Sequence, residues 1–239
     1  MIITIDGPAG SGKSTVARKL AARLGIAYLD TGAMYRAIAL AALERGVDPK
    51  DGNALVELAQ SLLLAVDCGP THTRVRIDDR DVTEAIRSMA VSEVTSYVAR
   101  QPAIRSMLAK RQRAIGKQLG SFVTEGRDQG SVVFPQADVK IVLDAGFEKR
   151  ASRRHLELLA DGEPVELEEV KYNLSKRDAI DSKQWAPLLV GKHALVIDTT
   201  EYTIPEVVNL LIDEIKRRMP NLEIPSGDTA PTHHNYLSE

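Results

Sequence analysis

Residues 7–14 read Gly7-Pro8-Ala9-Gly10-Ser11-Gly12-Lys13-Ser14, a complete G-x-x-x-x-G-K-[ST] run. It stands directly behind the apolar stretch Met1-Ile2-Ile3-Thr4-Ile5 and directly before Thr15-Val16-Ala17-Arg18-Lys19-Leu20. That order asks for a strand, a tight loop and a helix, which commits the start of the chain to one supersecondary unit. The glycines let the backbone curl until successive N–H groups and the positive end of the helix face one point, a concavity that suits the β- and γ-phosphates of a nucleotide. In such a loop Lys13 bridges the phosphates, the Ser14 hydroxyl ligates Mg²⁺, and residues 7 to 15, Thr15 included, form the nucleotide cradle.

The rest of the chain repeats the alternation. Short apolar runs at Ala27-Tyr28-Leu29, Phe122-Val123-Thr124-Glu125, Val139 to Asp144 and Ala194 to Asp198 are separated by helical patterns, including 33–45, 52–65 and 204–219. Strands that are apolar throughout and alternate with helices predict an α/β fold, a parallel sheet covered on both faces. One segment breaks the rhythm: residues 67–83 turn at Cys68-Gly69-Pro70, alternate through Thr73-Arg74-Val75-Arg76-Ile77 and turn again at Asp78-Asp79-Arg80-Asp81. They predict a small hairpin projecting from the core. Residues 84–119 read as helix interrupted before Pro102, and 148–181 as two charged helical stretches joined near Asp161-Gly162-Glu163-Pro164.

A chain of 239 residues suffices for one buried core with insertions, which we place at 1–219, and residues 220–239, rich in Pro, Thr, His and Ser, read as a disordered tail whose His233-His234 pair is solvated. A net charge of -2 argues against nucleic acid as a partner. No stretch reaches the roughly 20 apolar residues that span a bilayer, so the expectation is a cytoplasmic protein without membrane partners. The lone Cys68 excludes an internal disulfide and reads as a small buried hydrophobe.

A phosphate loop by itself serves kinases, ATPases, GTPases and switches. A guanine-reading N-K-x-D sequence is lacking, and the strand ending at Asp144 continues Ala145-Gly146 rather than into the second acid of a motor-type ATPase. Transfer to a small phosphorylated acceptor instead requires arginines that converge on phosphate. Arg36 follows Asp30-Thr31-Gly32, Arg127 stands at the carboxyl end of a core strand, and Arg150, Arg153 and Arg154 crowd one helical segment. Carboxyl ends of strands are where α/β sheets hold ligands.

Three blocks narrow the reading further: Ile5-Asp6-Gly7 through Ser14, Leu29-Asp30-Thr31-Gly32-Ala33-Met34-Tyr35-Arg36, and Glu125-Gly126-Arg127-Asp128 with Gly130-Ser131-Val132-Val133-Phe134-Pro135. Together with the later Arg177-Asp178 and Ala186-Pro187-Leu188, they make the chain resemble the bacterial cytidylate kinases from Met1 to about Met219. The resemblance implies a P-loop core, a β insert at 67–83 that enlarges the monophosphate-binding region, and a helical lid at 147–165. It implies transfer of the γ-phosphoryl group of ATP, with Mg²⁺, to CMP or dCMP by a monomer. Lys13, Arg36, Arg127, Arg150 and Arg153 would be the catalytic cations. Thr31, Tyr35, Arg36 and Arg127 would surround the acceptor phosphate; Ser96, Arg105 and Asp128 would read the cytosine edge.

One departure concerns the sugar. Where the family pairs an Asp with an Arg two or three residues on, this chain has Asp181-Ser182-Lys183, so Lys183 offers charge without a planar fork. The residues alone leave open a kinase with UMP, shikimate or dephospho-coenzyme A as acceptor, and a nucleotide-dependent switch without transfer.

Overall fold

The computed structural model describes residues 1–160, 162–185, 194–222 and 224, without the side chains of 177 and 180–185. Five parallel strands form the main sheet in the order β2-β6-β1-β7-β8. They are β1 (Ile2–Asp6), β2 (Ala27–Asp30), β6 (Phe122–Gly126), β7 (Val139–Asp144) and β8 (Leu195–Asp198). The apolar strands therefore pair as their composition predicts, and adjacent residues feed opposite faces. Phe122 packs with α2 (Thr31–Glu44), α3 (Gly52–Ser61), α4 (Met89–Arg100) and α5 (Pro102–Leu119), whereas Val123 packs with α1 (Lys13–Leu24) and α8 (Ile204–Arg218).

Register brings the functional strand ends to one edge. Asp30 lies beside Glu125, Ile5 beside both Glu125 and Ile141, and Asp6 beside Gly126 and Val142. The loops leaving this carboxyl edge are 7–12, the start of α2 and 127–133. The last of these contains a wide π turn over Gln129–Val133, with Val132 and Val133 both donating to the Asp128 carbonyl. Sequence periodicity gave no sign of it.

Two readings of the sequence need correction. The helix expected over 52–65 stops at Ser61, because Leu62 takes an extended ψ of 132° and Leu64–Cys68 forms β3. Pairing with β4 (Thr73–Ile77) outweighs the helical preference of the leucines: Leu64, Val66 and Cys68 alternate inward opposite Ile77, Val75 and Thr73. Burial pushes the Cys68 thiol up to about 12, as befits an inert core residue. Asp78 and Asp79, both at positive φ, make the hairpin turn, after which Arg80–Asp81 form the short strand β5 rather than continuing the turn.

Nor does this small antiparallel sheet, ordered β3-β4-β5, project from the core. Tyr28 donates to the Gly69 carbonyl at 2.9 Å, the Asp30 amide to Thr73 Oγ1 at 3.0 Å, and Thr73 Oγ1 to the Tyr28 carbonyl at 2.7 Å. The small sheet thus closes the edge strand β2 and shields its backbone groups. Opposite it, α6 (Phe147–Ala160) and α7 (Leu167–Trp185) pack on each other beside the phosphate loop. Among the described residues no helix is long and apolar enough to cross a membrane. The tail residues 225–239, with His233 and His234, lie outside the described residues.

Candidate active site

The loop 7–12 has the backbone its glycines allow. Gly7, Gly10 and Gly12 all have positive φ, and Gly12 caps α1 in the left-handed conformation. A side chain at Gly7 would place its Cβ 2.0 Å from the Leu143 carbonyl oxygen, so the loop leaves β1 pressed on β7. One at Gly10 would meet the Arg150 backbone at 2.7 Å, which ties the loop to α6. Lys13 Nζ donates to the Pro8 carbonyl at 2.6 Å, and the Ser11 hydroxyl is buried without a partner among the described residues.

A cavity of about 210 Å³ opens from this loop. Ala9, Gly10, Gly12, Lys13, Ser14 and Thr15 line one side, and Thr31, Tyr35, Arg36, Arg105, Arg127 and Asp128 the other. Helix α2 begins at the strand end because Asp30 caps it, its carboxylate accepting from the Ala33 amide at 2.9 Å. Thr31 Oγ1 donates to the Glu125 carbonyl at 2.7 Å, which sets the first turn of α2 against β6. Arg36 NH1 reaches Ser92 Oγ at 2.7 Å, Arg127 NH1 the Gly126 carbonyl at 3.2 Å, and Arg105 NH2 the Asp128 carboxylate at 2.5 Å. Burial raises the pKa of Asp128 against the opposing pull of Arg105, and burial likewise raises that of Tyr35, which stays a neutral phenol.

The cavity also holds residues to which the sequence reading gave no role. Glu125 is buried and accepts from Ser14 Oγ at 2.8 Å; burial first, and the Asp30 carboxylate second, raise its pKa. Arg87, in the short 3₁₀ turn before α4, donates to Asp30 at 2.9 Å, and Glu157 completes the wall beside Arg154, one of the arginines that the sequence offered for phosphate. Nothing in the run Ile86-Arg87-Ser88 singles out that arginine, because its role comes from the fold of the small sheet that precedes it. Arg154 shares one helical face with Arg150 and Arg153, so periodicity could not separate them.

The structure does separate them. Arg150 is only 6% exposed and its guanidinium is spent on protein: Nε on the Ala145 carbonyl, NH1 on the Ala9 carbonyl, and NH1 and NH2 on the Asp178 carboxylate at 3.1 and 2.6 Å. Arg153 donates to Thr199 Oγ1, the Thr199 carbonyl and the Tyr202 carbonyl. Of the cluster, Arg154 is the one that lines the cavity. Ser96 is also set apart, donating to the Glu93 carbonyl at 2.9 Å and facing a second cavity of about 620 Å³ between α4, α6 and α7. Ala9 and Arg154 border both spaces. The side chains of Asp181 and Lys183 lie outside the described residues.

These residues fit a nucleotide and its cation. The loop amides and the unpartnered Ser11 hydroxyl suit phosphate oxygens. Ser14 with the neighbouring carboxylates of Glu125 and Asp30 offers the hard oxygen donors that Mg²⁺ takes. Among the described residues no group of three or more His, Cys, Asp or Glu is placed to hold a metal ion by itself.

Residues 3–217 match the family model for cytidylate kinase. The chain is 45% identical over 212 residues to the cytidylate kinase of Exiguobacterium sibiricum, covering 88% of this chain and 95% of that one. It is likewise 45% identical over 219 residues to that of Carboxydothermus hydrogenoformans, covering 91% and 98%. Among solved structures, an uncharacterized protein from Eubacterium ventriosum shares the fold with a TM-score of 0.51 at 15% identity, covering 91% of this chain and 98% of that one.

Proposed function

The chain belongs to the cytidylate kinase family, and from that premise we propose that its cavity joins ATP and CMP or dCMP for in-line transfer of the γ-phosphoryl group. The protein is a phosphotransferase, and the diphosphate and ADP are its products. The single observation that carries the assignment of halves is the arrangement of the cavity, with the phosphate loop on one wall and the Arg105–Asp128 pair on the other.

In this reading an oxygen of the acceptor monophosphate forms the new bond to the γ-phosphorus as the bond to the β-phosphate oxygen breaks, its electron pair leaving with ADP. No proton has to be removed, because the monophosphate is largely a dianion at neutral pH. The protein positions and neutralises. Lys13 and the loop amides hold the donor, Thr31, Tyr35, Arg36 and Arg127 hold the acceptor phosphate, and Arg154 closes over the transferred group. Mg²⁺, held through Ser14 beside Glu125, would supply charge neutralisation at the donor phosphates.

Asp128 accepts from the cytosine amino group while Arg105 donates to the ring nitrogen and carbonyl, a pattern that the 4-oxo group of uracil reverses. Arg150 and Arg153 act as framework, fastening α6 to the loop at Ala9 and to the segment after β8. Residues 147–165 serve as a lid on one kinase domain spanning 1–219, and Lys183 bears on the choice between CMP and dCMP. The setting we infer is a cytoplasmic monomer acting on free nucleotides.

The test is ADP release from Mg·ATP with CMP, dCMP, UMP, AMP or no acceptor. Turnover that depends on CMP or dCMP supports the reading. ATP binding without stimulation by any acceptor would favour a nucleotide switch instead.

A further inference from the structure

Asp6 is the last residue of β1, fully buried, and directly precedes the phosphate loop, yet its carboxylate does not face that loop's cavity. Its Oδ1 accepts from the Gln129 amide at 2.9 Å and its Oδ2 from the Gly130 amide at 2.8 Å. Those amides open the π turn that follows Arg127 and Asp128. The approach is too close for a side chain: a Cβ on Gly130 would sit 2.7 Å from Thr4 Oγ1 and 3.4 Å from Asp6 Oδ2. The Gln129 side chain ties the same turn to α5, donating to Gln112, and to β6, accepting from Thr124 Oγ1.

We infer that Asp6 is a positioning residue whose two carboxylate oxygens hold the Arg127–Asp128 loop to the strand that carries the phosphate loop, setting the acceptor half of the site in register with the donor half. The inference rests on the reading above for what Arg127 and Asp128 contact. Only an ionised carboxylate accepts both amides without bringing a proton against one of them.

Burial raises the Asp6 pKa to about 6 even though the Gly130 and Gln129 amides pull it down, with a smaller push from Asp128 and a smaller pull from Lys13. Lys140 on β7 lays its stem over Gly130 and sends Nζ away, to the Pro135 carbonyl. A carboxyl whose folded pKa lies above its ordinary value makes the ionised form costly to stability at neutral pH, a cost typical of functional positions. As pH falls through about 6 one of the two bonds is lost and the loop loosens.

Asp6→Asn keeps the shape but turns an NH₂ toward an amide donor. Near pH 7.5 it should lower kcat/KM for CMP about tenfold while the KM for ATP stays within about twofold. It should also flatten that part of the acidic decline in CMP use which the phosphate's own titration does not explain. Equal losses for both substrates, or no loss for either, would overturn the inference. Should the variant not fold, hydrogen exchange at the Gln129 and Gly130 amides of the wild-type protein carries the test. Protection corrected for intrinsic rate should fall several-fold from about pH 7.5 to about pH 5, and pH-independent protection would overturn it. If the wild-type protein fails to phosphorylate CMP at all, the functional reading fails, and the exchange measurement still decides whether Asp6 clamps the loop.

Discussion

The two halves of the cleft are built on different plans. The half we assign to the donor is one unbroken stretch, residues 7–15, whose backbone is shaped by three positive-φ glycines and which carries Lys13 and Ser14 as its proposed principal side chains. The half we assign to the acceptor is assembled from α2, the 3₁₀ turn at Ala85–Arg87, α4, α5, the end of β6 and α6, and most of the groups proposed to act in it are side chains. Backbone recognition depends on the glycines, whose positive φ and close contacts leave no room for a side chain. Side-chain recognition has the opposite sensitivity, and each of its groups depends on a neighbour that aims it, as Arg105 depends on Asp128.

The largest break in that comparison should come from the one donor-half cation. Lys13→Ala removes a charge that the amides cannot replace, and kcat should fall about 10³-fold whichever acceptor is offered. A loss confined to one acceptor would show that the halves are not separate.

Next in size is the contrast between neighbouring arginines of α6. Arg150→Ala leaves the partly buried Asp178 carboxylate without its partner and releases the Ala9 carbonyl, and should cost about 2 kcal/mol of stability in a denaturant titration. Arg154→Ala should leave stability nearly unchanged and lower kcat about tenfold. An exchange of these two outcomes would return Arg150 to the role the sequence reading gave it. On the acceptor side, Arg127→Ala should reduce kcat/KM for CMP about 10²-fold and leave ATP affinity within about twofold, as read by steady-state kinetics and ATP titration. The smallest effect is a control outside both halves. Asp51 caps α3 by accepting from the Asn53 and Ala54 amides at 3.0 Å, so Asp51→Ala should lower stability by about 1 kcal/mol without touching turnover.

The same contrast explains what could be read from the chain alone. Strand, glycine loop and helix are local and contiguous, so the donor half and the parallel sheet follow from composition, period and the motif. Helix α3 was overextended because Leu62, Leu63 and Leu64 carry no local sign of the strand partner that claims them, Ile77 thirteen residues on from Leu64. The groups we assign to the acceptor half come chiefly from family resemblance, since Arg105 and Asp128 meet only where α5 packs beside the turn that follows β6. Arg87 and Glu125 escaped even that, because what makes them matter is the buried carboxylate of Asp30 between them in space. Arg150 and Arg154 lie on one helical face, and only the position of α7 decides which is buried.

The account stands most directly on one ratio, kcat/KM for CMP over kcat/KM for UMP, measured in the wild-type protein and in Asp128→Asn. If Asp128 and Arg105 read the cytosine edge, the wild-type ratio should be large and the variant should lower it at least about tenfold, because an amide can turn its NH₂ toward the uracil carbonyl. A ratio that Asp128→Asn leaves unchanged would contradict the placement of base recognition in this half of the cleft.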